Sequence, residues 1–199
     1  MSWWSSQPIS TAGLRAGDWA GSALLQIIAD SRLERLYRYW AAQRRGRAMP
    51  SRGDIDPVEI PGDVWPHIML LDVLWSEDGP RFRYRRVGEV FWRALGQEPT
   101  GRFIDEVLPE TAGYRSYVVG IYKEMAALRR PMYTENVFTL EGQAVPMLTK
   151  RVSLPLSHDG TAIDMVLAGH VFEYGRLERN RAFSLVTGLK EVTRCVLDD

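Results

Sequence analysis

The adjacent arginines Arg85 and Arg86 could hold an anion. They lie in an alternating segment that predicts a β-strand, and neighbouring strand residues point to opposite faces of a sheet. If both faces are partly covered, at least one guanidinium is buried and needs an acidic partner or an anionic ligand. We therefore expect Arg86 either to bind a ligand anion or to form an internal salt bridge, with Glu89 or Glu135 as its partner. The side chains expected on the face of Arg86 are Phe82 and Tyr84.

Aromatic residues could line a small-molecule pocket between this sheet and its helices, namely Trp92, Tyr114, Tyr117 and Tyr133. Aromatic rings with a few polar tips are typical of such pockets, but they suit a packed core equally well. His170 lies in another predicted strand and could contact a ligand or ligate haem; the alternative is a core histidine with a satisfied hydrogen bond. The residues predicted to bind a ligand are Arg85, Arg86, Trp92, Tyr117, Tyr133 and His170.

No pattern in the sequence identifies a catalytic or metal site. Asp54 and Asp56 come nearest to a carboxylate pair, but Asp56 precedes Pro57 in the layout of a helix cap. The histidines are isolated, and Cys195 is the one cysteine, which excludes an internal disulfide and a thiolate metal centre. A glycine-rich phosphate loop and a nucleophile elbow are missing as well. We therefore predict no enzymatic activity and no cofactor.

The composition is that of an ordinary globular protein without an overall charge. The 25 Lys and Arg residues balance the 25 Asp and Glu residues, so no global field attracts nucleic acid or an anionic membrane. No apolar run approaches the roughly 18 residues of a membrane helix, and residues 1–10 lack the pattern of a signal peptide. We expect a cytoplasmic protein that binds neither nucleic acid nor membranes.

The order of predicted elements indicates an α+β fold. Leu33, Leu36, Tyr37 and Trp40 recur at helical spacing, and four prolines between residues 50 and 66 predict a structured connector. Short turns between strands favour an antiparallel sheet with its helices gathered on one face. The predicted strands cover residues 67–75, 81–87, 132–140, 144–156 and 163–174, and the later helices cover residues 90–95, 103–108 and 112–130.

The two ends of the chain differ in character from the domain predicted for residues 24–175. Residues 1–23 contain Trp3, Trp4 and Trp19 without clean periodicity, and they predict an arm that is loosely docked or packs back on the domain. Residues 176–199 form a charged tail that could fold as a helix weakened by Gly188.

This order of elements resembles the PAS fold, a five-stranded antiparallel sheet whose helices cross between the second and third strands. Over about residues 30–174 the motifs are similar to a family of bacterial stand-alone PAS-type domains, with departures at Arg86 and Glu89. The resemblance implies a sensory or regulatory role, usually without catalysis. The matching segments are residues 33–40 with Arg44-Arg45-Gly46-Arg47, residues 50–57, Phe82-Arg83-Tyr84-Arg85 with Val87-Gly88, Thr100-Gly101-Arg102, and Pro155-Leu156-Ser157 with Asp159-Gly160.

Three functions remain open at this level. The leading hypothesis is a sensory module that binds a small, anionic molecule between the sheet and the helices of residues 88–130, and relays the signal to residues 1–30 and 176–199. The second is a ligand-free interaction module that forms a homodimer or binds a signalling protein through the arm and first helix. The third is an enzyme with an unrecognised site, which would need two acids or an acid–histidine pair in a cleft.

Overall fold

The chain folds around one antiparallel sheet with helices on both faces. The computed structural model describes residues 27–142, 146–173 and 186–197. The predicted arm at residues 1–23 and residues 176–185 and 198–199 of the predicted tail therefore lie outside the described residues. The strands run in the order β2-β1-β5-β4-β3-β6. The elements are α1 (Ser31–Gln43), β1 (Ile68–Ser76), β2 (Gly79–Val87), α2 (Glu89–Leu95), α3 (Ile104–Val107), α4 (Tyr114–Leu128), β3 (Met132–Leu140), β4 (Met147–Leu156), β5 (Met165–Glu173) and β6 (Val186–Val196).

Strand β5 joins the two halves of the sheet. It pairs with β1, where Gly169 lies opposite Ile68, and with β4, where His170 lies opposite Arg151. The last three predicted strands therefore share one sheet with the first two, and the helices α2 to α4 lie between β2 and β3 in the chain. The predicted α+β class and the five predicted strands are confirmed.

The sixth strand corrects the prediction that the C-terminal tail folds as a helix. Residues 186–196 instead pair antiparallel with β3, from Val196 opposite Met132 to Val186 opposite Leu140. Two physical reasons favour a strand. The segment is rich in β-branched residues, which suit a pleated surface, and β3 would otherwise expose an unpaired edge.

Helices α2 to α4 cover one face of the sheet, which we call the inner face. The rings of Phe82 in β2 and Tyr122 in α4 are 5.4 Å apart, and those of Tyr114 in α4 and Phe138 in β3 are 5.0 Å apart. These aromatic contacts fix α4 across the strands. Within the described part of the chain, no helix has the length and hydrophobicity needed to cross a lipid bilayer.

Helix α1 and the connector of residues 50–67 cover the opposite face, which we call the outer face. Asp30 caps α1 by accepting hydrogen bonds from the backbone N–H groups of Arg32 and Leu33. The indole of Trp40 is fully buried and donates to the carbonyl of Pro155 over 2.9 Å. Gly169 permits this close packing, because a Cβ atom there would lie 2.7 Å from Cδ2 of Leu33.

A β-bulge at Arg85 changes the alternation of β2. Leu71 lies opposite Tyr84 while Leu70 lies opposite Arg86, so two residues of β2 span one step of β1. Tyr84 is buried on the inner face, whereas Arg86 is exposed and stacks on Trp65 of the connector at 5.8 Å. The prediction that Arg86 shares a face with Phe82 and Tyr84 is therefore wrong, and so is the prediction that one of the two arginines is buried.

Candidate functional site

Polar side chains occupy the middle of the inner face, where a sheet covered by helices normally carries apolar residues. The antiparallel register places them as cross-strand neighbours: Thr134 lies opposite Arg151, which lies opposite His170, and Asn136 lies opposite Thr149. Each of these side chains is at most 2% exposed. We call Thr134, Asn136, Thr149, Arg151 and His170 the inner polar cluster.

Arg151 carries a buried positive charge at the centre of the cluster. Its Nε donates to Nε2 of His170, and its guanidinium carbon lies 5.7 Å from the centre of the Tyr122 ring. Its Nη1 has no hydrogen-bond partner, and no carboxylate of the described residues forms a salt bridge with it. A buried guanidinium is strongly destabilising unless an anion compensates it.

The other members of the cluster also present unpartnered polar atoms. Both side-chain amide atoms of Asn136 lack a hydrogen-bond partner among the described residues, as do the hydroxyls of Thr134 and Thr149. A buried polar atom without a partner typically costs about 1–3 kcal/mol. Several such atoms beside one uncompensated charge call for a polar group that satisfies them, such as bound water, an ion or a ligand.

His170 is held in one neutral tautomer by its neighbour. A guanidinium can only donate, so Nε2 of His170 accepts from Arg151 and the ring proton resides on Nδ1. Burial lowers the pKa of His170 well below its usual value, and the adjacent charge of Arg151 lowers this pKa further. Its Nδ1–H has no partner among the described residues, which adds another hydrogen-bond donor to the cluster.

The acidic side chain that β6 places opposite the cluster is engaged elsewhere. Glu191 lies opposite Asn136, but its Oε2 accepts hydrogen bonds from Arg194 and from the hydroxyl of Tyr117, the latter at 2.8 Å. Burial and this hydrogen bond raise the pKa of Tyr117 to about 12. Glu191 therefore forms a polar border to the cluster and is not the counterion of Arg151.

The structure brings two of the six predicted ligand-binding residues to this site. His170 belongs to the cluster, and Tyr117 lies at its border. Trp92 of α2 is 37% exposed and lies beside Arg93. Tyr133 is buried, but it alternates with Thr134 and therefore faces the outer side, where its hydroxyl donates to Glu135 over 2.5 Å.

The two predicted arginines lie on the outer side of the sheet. Arg85 is exposed and donates to Asp72 over 2.9 Å across the β1–β2 hairpin. Arg86 is exposed and has no acidic partner among the described residues, so the salt bridge predicted for Arg86 with Glu89 or Glu135 is not formed. Neither residue contributes to the inner polar cluster.

Four members of the inner polar cluster were not predicted from the sequence as site residues. Lys150 and Arg151 are adjacent cations in a predicted strand, so the reasoning applied to Arg85 and Arg86 holds for them as well. Their side chains point to opposite faces of the sheet, so one of the two must face helices α2 to α4 on the inner face. Asn136 and Thr134 gave no such signal, because Glu135 between them makes the segment read as uniformly polar.

The two aspartates weighed as a metal site have structural roles. Asp54 accepts hydrogen bonds from Ser51 and Arg47, and Asp56 caps the turn Pro57–Glu59 through the N–H of Val58. Across the described ranges, no group of three or more His, Cys, Asp or Glu residues is placed to hold a metal ion.

A comparison with protein families found a match to the first part of the described chain. A family model described as a PAS domain matches residues 28–107, which contain α1, the connector, β1, β2, α2 and α3. Neither curated proteins nor solved structures gave a match. The inner polar cluster lies on β3, β4 and β5, beyond the matched segment.

Proposed function

We propose that the protein is a cytoplasmic sensor of a small anionic molecule, because residues 28–107 match a family model described as a PAS domain, and PAS domains are sensory and interaction modules. The molecule binds on the inner face between the sheet and α4, with Arg151 as its counterion. The proposal keeps the location predicted from the sequence, between the sheet and the helices, but it assigns the anion-binding role to Arg151 in place of Arg86.

The burial of Arg151 without a carboxylate partner is the observation that carries this function. A carboxylate or phosphate would accept from the guanidinium in a two-bond geometry and would compensate the charge. The Nδ1–H of His170 and the amide of Asn136 are further hydrogen-bonding groups on the same face. Together they suit a ligand with several acceptor atoms.

A ligand bound at the inner polar cluster can influence both α1 and β6. His170 follows Gly169, which contacts Leu33 of α1 across the sheet. On the other side, Asn136 lies opposite Glu191 of β6. If these contacts have two conformations, a ligand that binds one conformation more tightly would shift α1 and β6 towards that conformation.

No catalytic step belongs to this proposal. The ring of His67 contacts Arg32 and the backbone carbonyl of His170, and the ring of His170 contacts Arg151. Within the described ranges, neither ring has a carboxylate partner with which it could act as an acid–base pair.

The function is tested by thermal unfolding of the purified full chain with a panel of small carboxylates and phosphates, and by native mass spectrometry for a copurified anion. A ligand at 100 times its Kd adds about 2.7 kcal/mol of stability. For a domain of this size, that corresponds to a rise in Tm of roughly 5–10 °C.

The variant Arg151→Met separates ligand binding from folding. It removes an uncompensated buried charge, so the ligand-free protein should be at least as stable as the wild type, while the rise in Tm with the anion should vanish. Arg194→Met is the matched control, because Arg194 already pairs with Glu191 and Glu124 and should leave the ligand response intact. If no anion copurifies or stabilises the wild type, the ligand-free interaction module becomes the better hypothesis.

A further inference from the structure

A pocket lies on the outer face, across the sheet from the inner polar cluster. It has a volume of about 210 Å³ and is lined by the connector and by strands β1, β2 and β5. Its floor and walls are apolar. The side chains that form them are Ile55, Ile60, Trp65, Ile68, Leu70 and Leu167. We call this cavity the outer pocket.

Two arginines line the outer pocket and present charges that no acidic side chain of the described residues compensates. Arg52 donates to the backbone carbonyl of Ile55 over 2.9 Å, and Arg86 stacks on Trp65. Neither forms an ion pair in the described part of the chain. Their neighbour Arg85 differs, because it pairs with Asp72.

The β-bulge accounts for the position of Arg86. With regular alternation Arg86 would follow Tyr84 onto the inner face, but the extra residue at position 85 turns it toward the outer pocket. There it lies opposite Leu70, whose side chain is 9% exposed and belongs to the pocket floor. A charged group is thus placed beside an apolar cavity.

We propose that the outer pocket binds a compact amphipathic carboxylate. Its apolar body lies on the isoleucine and leucine floor, and its carboxylate accepts hydrogen bonds from Arg86 and Arg52. Small-molecule sites combine a mostly apolar lining with a few placed polar groups, and their volumes are typically about 300–1,000 Å³. At about 210 Å³ the outer pocket suits a single aromatic ring or a short branched chain.

The outer pocket shares no residue with the inner polar cluster, so the two sites can be tested separately. The probe is 4-methylbenzoate, titrated into the full chain and followed by isothermal calorimetry and by ligand-observed NMR. We expect saturable binding. The neutral analogue 4-methylbenzamide should bind at least about tenfold more weakly, because it cannot form charge-assisted hydrogen bonds with the guanidinium groups.

Single variants identify the site. Arg86→Gln and Arg52→Gln should each weaken binding of 4-methylbenzoate about tenfold or more. Arg85→Gln is the matched control, since it removes the same charge one residue away and should leave the affinity unchanged. Arg151→Met should also leave it unchanged, which shows that the probe does not occupy the inner face.

Three results would overturn the assignment. They are the absence of saturable binding, equal affinity for the acid and the amide, and an equal effect of Arg86→Gln and Arg85→Gln. Because Arg52 and Arg86 are exposed, both variants should fold. An unchanged unfolding curve verifies this before the titrations are compared.

Discussion

Asp72 of β1 forms salt bridges with arginines of β2, in addition to the backbone pairing of the two strands. Its side chain is 15% exposed and accepts from Arg83 and Arg85, each over 2.9 Å. Burial raises the pKa of Asp72, but the hydrogen bonds and charges of Arg85 and Arg83 outweigh it and leave the pKa below its usual value. The carboxylate is therefore more stable in the folded chain than in the unfolded one.

This pKa shift predicts a stability that depends on pH. Because the folded-state pKa lies below the unfolded value of about 3.9, the contribution of Asp72 is complete above about pH 5 and is lost as the pH falls through the folded-state pKa. Asp72→Asn should lower the free energy of unfolding by about 1 kcal/mol at pH 7 and by less at pH 3. Urea unfolding at the two pH values measures the difference.

Asp78→Asn is the control for this pH effect, since Asp78 is exposed in the turn of the same hairpin. It should change the free energy of unfolding by less than about 0.5 kcal/mol at both pH values. A loss for Asp72→Asn that is equal at pH 7 and pH 3 would show that the carboxylate charge is not the stabilising feature.

Single residues also explain why the candidate site was only partly predictable. The strand containing His170 was predicted with the right phase, and its burial follows from that phase. Arg86 was misplaced because one bulged residue reverses every later side chain in a strand, and no residue type in the sequence announces it. Arg151 was predictable in principle from its adjacency to Lys150, but its lack of an acidic partner is a property of the assembled sheet.

At the scale of elements, the five strands and three later helices were predicted from their local apolar patterns and from the turns and helix ends between them. Strand β6 was not, since its charged residues obscure the alternation and its pairing partner β3 lies about 50 residues earlier. Tertiary pairing decides the structure of such a segment and overrides its local preference. The close approach of α1 to β5 likewise depends on a glycine whose role is visible only when both elements are in place.

Gly169 provides a test of how α1 packs on the sheet. A Cβ atom at this position would lie 2.7 Å from Leu33 and 2.8 Å from Leu36, both of which are fully buried. Gly169→Ala should therefore destabilise the protein by about 1–3 kcal/mol through overpacking. Equilibrium unfolding in urea, followed by circular dichroism, measures the change.

Gly120→Ala is the matched control, because Gly120 lies in α4 with no atom within 4 Å of the added Cβ. It should stabilise the protein by about 0.5–1 kcal/mol, since alanine favours a helix interior over glycine. If Gly169→Ala behaves like Gly120→Ala, α1 does not press on β5 as the structure indicates.

At the scale of the whole molecule, one sheet separates two candidate sites and connects them to α1 and β6. The inner polar cluster lies beneath α4, and the outer pocket lies beneath the connector. Strand β5 contributes to both, through His170 on one face and Leu167 on the other. An anion on either face would therefore act on the same central strand.

Strand β6 forms the edge of the sheet beside β3, and we expect its deletion to lower the stability of the protein. Val186 is fully buried and Leu197 is 2% exposed, and the N–H of Leu197 donates to the carbonyl of Pro131 over 2.8 Å. A chain that ends at residue 185 would lose these contacts and expose the edge of β3, which could then pair with other chains. We expect a lower Tm and concentration-dependent association, measured by thermal unfolding and light scattering. A chain that ends at Leu197 should match the wild type, whereas a shortened chain that remains monomeric with an unchanged Tm would show that β6 is dispensable to the domain.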